Sequence, residues 1–131
     1  MAVDSWQVSE WMEPGLAERI RKHGSFFRAF LAEISSLPKE AFELIHTSNS
    51  LSVDAATAYA PSSFPFIFLD ADHSYESVRD DIAAWRPKVA PGGVIAGHDL
   101  RPAHPGVEQA VREAFGDDFE VRGSCWWRRM P

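Results

Sequence analysis

The sequence predicts an α/β fold built on a mostly parallel sheet with helices on both faces, and three observations carry that prediction. Two short apolar runs, Phe64-Pro-Phe-Ile-Phe-Leu69 and Val94-Ile-Ala96, each end abruptly in polar residues. The segment between them has helical spacing. A strand, a helix of about a dozen residues and a second strand form a crossover that returns the chain to the same end of the sheet, so the two strands run parallel. Near the C-terminus, Phe119-Glu-Val121 and Cys125-Trp-Trp127 flank Gly123-Ser124 and predict a closing antiparallel hairpin.

Along the chain, Met1-Ala-Val3 reads as a short strand that ends at Asp4. Residues 5–24, with Trp6, Trp11, Pro14 and Gly15, show no clean period and are expected to hold a loop and a short helix. Ser25 can cap a helix whose Phe26, Phe27, Phe30, Leu31, Ile34 and Leu37 face inward before Pro38 ends it. Ala41-Phe-Glu-Leu-Ile45 is expected to be a strand, His46-Thr-Ser-Asn-Ser50 the loop at its end, and Ser52 the cap of a short helix through Val53, Ala56 and Tyr59. The run 64–69 is rich in aromatic and branched residues, as a strand covered on both faces should be, and it breaks off at Asp70-Ala-Asp-His73. From Ser74 onward, Tyr75, Val78, Ile82 and Trp85 recur at three and four residues while Glu76, Arg79, Asp80 and Arg86 take the other side. That is an amphipathic helix, and Pro87 stops it. Pro91-Gly92-Gly93 predicts a turn before the second strand, which finishes in Gly97-His98-Asp99. Pro105 suits a first helical turn, Val107, Ala110, Val111 and Phe115 form an inner face, and Gly116 can terminate that helix.

The length of 131 residues, with 45% hydrophobic and 24% charged content, fits one domain over residues 1–131 with one packed core. A formal charge of −6 argues against a nucleic-acid partner, because phosphate neutralisation needs a basic surface. Cys125 is the single cysteine, which excludes an internal disulfide and a thiolate metal cluster. There is no charged-then-apolar leader and no long apolar run, so a cytoplasmic chain with no membrane partner is expected.

In an open α/β sheet ligands bind beyond the carboxyl ends of the strands, where loops diverge and helix N-termini present free N–H groups. The candidate positions are therefore Asp4, Ser48 to Ser50, Asp70 to His73, and His98-Asp99. Spacing alone does not name the ligand.

The residues do resemble a known family. Phe66-Ile-Phe-Leu-Asp-Ala-Asp-His-Ser-Tyr-Glu76, then Asp81-Ile82, Trp85, Pro87-Lys88 and Pro91-Gly-Gly-Val-Ile-Ala-Gly-His-Asp99, are similar to the fourth and fifth strands of class I S-adenosylmethionine-dependent methyltransferases. The branch they resemble is that of the macrocin and caffeoyl-CoA O-methyltransferases. The likeness continues through Pro105-Gly106-Val107 and Trp126-Trp127-Arg128, and more faintly over residues 1–60. It implies a Rossmann-like mostly parallel sheet in which Val3-Asp4-Ser5-Trp6 ends the second strand. A fold of that type carries its glycine loop about 20 residues before the acid. Only three residues precede Asp4, and Gly92-Gly93 leads into a strand rather than a helix. The expectation is a domain lacking the first strand and glycine-rich loop, with a gap between the second and fourth strands that leaves two unpaired edges.

The resemblance also implies roles. Asp4, Asn49, Asp70 and Asp72 would hold S-adenosylmethionine, with Asp4 on the ribose hydroxyls and Asn49 on the adenine or its ribose. Asp70, His73 and Asp99 would serve the methyl acceptor, a small-molecule hydroxyl. Asp70 and Asp99 could also hold a divalent cation such as Mg2+, although the plant-type site has asparagine where Leu100 stands here. Each residue has a plainer reading beside this one. Loop carboxylates also cap helices, loop histidines bond backbone, and asparagine is ordinary in turns. Trp85, Trp126 and Trp127 read as core or sheet-cover residues, and His98 and His104 as secondary candidates. Methyl transfer is an in-line displacement needing alignment and removal of the acceptor proton. With the glycine loop missing, this chain alone is expected to bind the cofactor weakly or not at all. Two rival readings are a non-catalytic remnant that pairs its open strands in a homodimer, and a metal-dependent hydrolase using Asp70, Asp72, His73, His98 and Asp99.

Overall fold

The computed structural model describes residues 2–4, 15, 18 and 22–131. Contacts within it define two compact units, Met1–Ser52 and Val53–Pro131.

In the first unit, β1 (Ala2–Asp4) pairs in parallel with β2 (Thr47–Asn49), with Asp4 opposite Asn49. Helix α1 (Phe26–Ile34) starts where Ser25 turns extended, and its hydroxyl accepts a hydrogen bond from the Arg28 amide at 3.2 Å. The expected inward position of Leu37 is corrected: the helix stops at Ile34, three residues early, and Leu37 is exposed. The strand expected at 41–45 is likewise corrected. Lys39–Phe42 forms a short helix, α2, and the pairing strand lies just beyond, in the residues read as a loop. Pro38 explains the difference, because its ring fixes φ at −52° and its carbonyl accepts from the amides of Ala41 and Phe42. Most of the loop and short helix expected over residues 5–24, with Trp6 and Trp11, lies outside the described residues.

The second unit takes in most of α3 (Ser52–Ala56) and a four-stranded sheet. Its strands are β3 (Phe64–Leu69), β4 (Val89–Gly97), β5 (Glu120–Arg122) and β6 (Cys125–Arg129), in the spatial order β3-β4-β6-β5. Between β3 and β4 run α4 (Tyr75–Trp85) and a 3₁₀ turn at Arg86–Lys88, where Pro87 breaks the α-helical bonding as expected. Helix α5 (Pro105–Phe115) packs on α4 and ends at Gly116, whose φ of +62° suits a residue without Cβ.

Strands β3 and β4 are parallel, and β6 returns antiparallel to β4 before pairing with β5 across the turn at Gly123. Pro91-Gly92-Gly93 does not separate β4 from what precedes it. It is an irregularity inside the strand, where the register with β3 jumps from Phe64↔Val89 to Phe66↔Val94. Met130 holds this bulge, accepting from the Gly92 amide at 3.1 Å and donating to Gly93 at 2.8 Å.

The core gathers Ile82 and Trp85 from α4, Ile95 from β4, Val107, Val111 and Phe115 from α5, and Trp126 from β6. Trp126 lies against Phe115, with ring centroids 6.0 Å apart, and against the backbone of Gly97. A Cβ at Gly97 would fall 2.7 Å from the indole, so glycine is what lets the tryptophan close over the end of β4.

One face of β3 behaves differently from the expectation of burial on both sides. Ile67 is inward, but Phe66 and Phe68 are 56% and 46% exposed and stack on each other with centroids 6.4 Å apart. Alternation along a strand puts them together on the face opposite Ile67. Strands β1 and β3 each have a single strand partner among the described residues. No described helix is long and apolar enough to cross a membrane.

Candidate functional site

The two chemistry-bearing loops meet because their strands do. Leu69 pairs with Gly97, and the His98 amide donates to the Leu69 carbonyl at 3.1 Å, so both polar tails leave one edge of the sheet side by side. Asp70, His73 and His98 thus line a cleft whose apolar wall includes Leu69, Val107 and Trp126, and Asp99 lies buried against both histidines.

Asp99 is the hub. It is 5% exposed and held at φ +57°, a left-handed conformation that costs an L-residue on the order of 1 kcal/mol and that Asp tolerates better than most. Flanking backbone bonds fix it there: the Leu100 amide donates to Ser124 at 3.0 Å and the Arg101 amide to the Asp99 carbonyl at 2.9 Å. Its Oδ2 lies 2.8 Å from His73 Nε2 and 3.3 Å from His98 Nδ1. Its Oδ1 lies 2.7 Å from Arg101 Nη2, close enough for ion pairing yet without the alignment of a hydrogen bond. A buried carboxylate needs such neighbours, since an unpaired charge away from water is costly.

His98 is oriented from both sides. Its Nδ1 faces Asp99 and, at 3.9 Å, Asp70 Oδ1, while its Nε2 is 2.7 Å from Ser124 Oγ. Carboxylates only accept, which assigns the proton of the neutral ring to Nδ1 and makes the Ser124 hydroxyl the donor to Nε2. Ser124 was not a sequence-level candidate. It sits in the β5–β6 turn, and only the antiparallel return of β6 beside β4 carries it back to residue 98.

His73 meets a second unforeseen neighbourhood. Its ring lies 4.3 Å, centroid to centroid, from that of His104, and Arg101 Nη2 is 3.1 Å from His104 Nε2. The close approach depends on Gly106, where a Cβ would stand 2.6 Å from the Tyr75 amide nitrogen and 3.1 Å from the His73 carbonyl. Arg101, two residues beyond the recognisable string, was missed because nothing in its own spacing marks it.

Asp72 serves its own loop. Its Oδ1 accepts from the Ser74 amide at 2.7 Å, and the Ser74 hydroxyl and amide together hold its carboxyl below the usual aspartate range. Ser74 in turn caps α4. Asp4 and Asn49 stand opposite each other at the register of β1 and β2 in the first unit, and the Asn49 side chain is exposed.

Against known proteins, residues 1–100 match the family described as a methyltransferase domain, a stretch that takes in both loops of the cleft. A search of curated proteins finds no match. Among solved structures the chain is similar to the apo form of CalS11, a TDP-rhamnose 3'-O-methyltransferase of calicheamicin biosynthesis (TM-score 0.55, 16% identity, 97% of this chain and 57% of that one). It is also similar to the methyltransferase MycE of the mycinamycin pathway, in complex with Mg, SAH and mycinamycin VI (TM-score 0.55, 16% identity, 98% and 43%). A third is the O-methyltransferase NovP (TM-score 0.53, 19% identity, 98% and 58%). Identities this low speak for the fold, and the chain spans between 43% and 58% of the length of these three neighbours. With two parallel strands delivering their polar tails to one cleft, and with the family match running through both, the chain belongs to the methyltransferase domain family.

Proposed function

We propose that the cleft is the acceptor side of an S-adenosylmethionine-dependent O-methyl transfer to a small-molecule hydroxyl. The observation that carries this reading is the buried Asp99 carboxylate 2.8 Å from His73 Nε2. A carboxylate on one imidazole nitrogen orients the ring and stabilises its protonated form, which leaves Nδ1 free to take the acceptor's proton as the methyl group arrives. Asp70, at the end of β3, orients the sulfonium and the acceptor. Asp4 and Asn49 supply the ribose and adenine contacts that the resemblance implies. Asp72 reaches the cofactor by way of its loop, since its carboxylate is committed to Ser74.

A divalent cation on Asp70 and Asp99 is part of the same proposal. Single ligand atoms of Asp70, His98 and Asp99 lie within 4.8 Å of one another, so an ion fits once the His98 proton moves from Nδ1 to Nε2, where the Ser124 hydroxyl can accept it. Such an ion would acidify the acceptor hydroxyl.

This chain alone should bind cofactor weakly. Amide shifts on titration with millimolar S-adenosylhomocysteine are expected at residues 70–73 and 98–99. Shifts confined to other regions would remove the site from this cleft, and micromolar affinity by calorimetry would overturn the expectation of weakness.

The exposed pair Phe66 and Phe68 on β3, which has one strand partner among the described residues, favours a second reading, a homodimer built on that strand. Light scattering should then give a mass that rises with concentration, and Phe68→Lys should suppress the rise. A strict monomer at high concentration rejects this reading.

A further inference from the structure

We propose that His73, Asp99 and His104 form a binding site for a zinc-class divalent ion (Zn2+, Co2+ or Ni2+), distinct in composition from the Asp70–Asp99 pair, and that an ion there competes with the proton-handling role given above to His73 and Asp99. One ligand atom from each of these three residues lies within 4.8 Å of the others. Neighbouring ligands about 2.0–2.1 Å from a zinc ion sit roughly 3.0–3.4 Å apart, so the 2.8 Å between His73 Nε2 and Asp99 Oδ2 needs only a small opening. Two imidazoles and one carboxylate suit a borderline-soft ion, whereas Mg2+ takes oxygen donors and keeps its waters.

Arg101 supplies the second observation. Its Nη2 lies 3.1 Å from His104 Nε2 and 2.7 Å from Asp99 Oδ1, an oxygen that is buried and makes no hydrogen bond. A guanidinium can only donate, so the lone pair of His104 Nε2 points at a cation in this arrangement. The arginine therefore marks the place where an unprotonated imidazole and a buried carboxylate converge on positive charge. Its side chain is 50% exposed and can leave to solvent when an ion enters. Gly106 keeps the two histidines at this distance by letting the start of α5 press on the His73 loop.

The test is titration of the purified protein with Co2+, whose visible absorption reports imidazole and carboxylate ligation. Saturable bands at one equivalent are expected, displaced by Zn2+ and untouched by millimolar Mg2+. His104→Ala should weaken binding by at least about 10–100-fold, Arg101→Ala should tighten it, and Asp70→Ala should leave it unchanged. Circular dichroism on each variant confirms the fold. Absence of the bands overturns the proposal. So does their loss in Asp70→Ala with retention in His104→Ala, which would assign the ion to the Asp70–His98–Asp99 donors.

Discussion

Trp126→Ala is expected to destabilise the second unit by about 3–5 kcal/mol, a large share of the roughly 5–15 kcal/mol that holds an ordinary domain folded. The indole is 1% exposed, lies tilted against the Phe115 ring and fills the space that Gly97 leaves open. Neither neighbour can collapse into the hole. Gly97 is pinned in β4 by its pairing with both Leu69 and Trp126, and Phe115 is anchored at the end of α5. Trp127, next in sequence but facing the other side of the sheet and only half-buried, is the control and should cost far less. Urea unfolding followed by far-ultraviolet dichroism measures both. Equal midpoints for the two variants would mean that the core described around Trp126 is wrong.

Asp99→Gly is expected to cut methyl transfer by roughly 10²–10⁴-fold in any preparation that turns over, the range associated with loss of general acid–base assistance. Stability should move much less. Glycine accepts φ +57° without strain, and the three groups that lose their partner, His73, His98 and Arg101, are each more than a third exposed and can be resolvated. Asp99→Asn keeps the shape and removes the charge, so a loss of similar size there assigns the effect to electrostatics on His73. Retention of more than about a tenth of the rate in both variants would sink the His73–Asp99 pairing as the proton-handling element.

The second unit was largely legible because its signals are local and agree with one another. The β3 run, the three- and four-residue spacing from Tyr75 to Trp85, the stop at Pro87 and the Pro105-to-Gly116 helix all appear in the structure where the residues put them. The errors fall where a short apolar run can be read two ways. Ala41 to Ile45 has the composition of a strand, yet Pro38 starts a helical turn just ahead of it and the pairing partner of β1 is the more polar Thr47–Asn49. At Pro91-Gly92-Gly93 the dipeptide chemistry of a turn was present, but partners on either side turned it into a bulge.

The candidate site divides along the same line. Asp70, His73, His98 and Asp99 follow from two strand ends and need only that the strands be neighbours. Ser124, Arg101 and the His73–His104 contact depend on how distant loops fall together, 26 residues apart for His98 and Ser124, and no periodicity encodes that. Asp72 shows the converse. It sits in the middle of the recognisable string, yet its geometry explains its presence by the turn it stabilises.

The placement of β6 between β4 and β5 sets an order for assembly. Strand β4 gains its second hydrogen-bonded neighbour only from residues 126–129, about thirty positions later in the chain. Trp126, fully buried in the core, arrives in that same stretch. During synthesis the β3–α4–β4 segment therefore lacks that neighbour until residues 126–129 have cleared the ribosome, a non-local closure of the kind that folds more slowly than local helix formation. A nascent chain halted before residue 125 should accordingly look to a chaperone like a client, however complete its local helices already are.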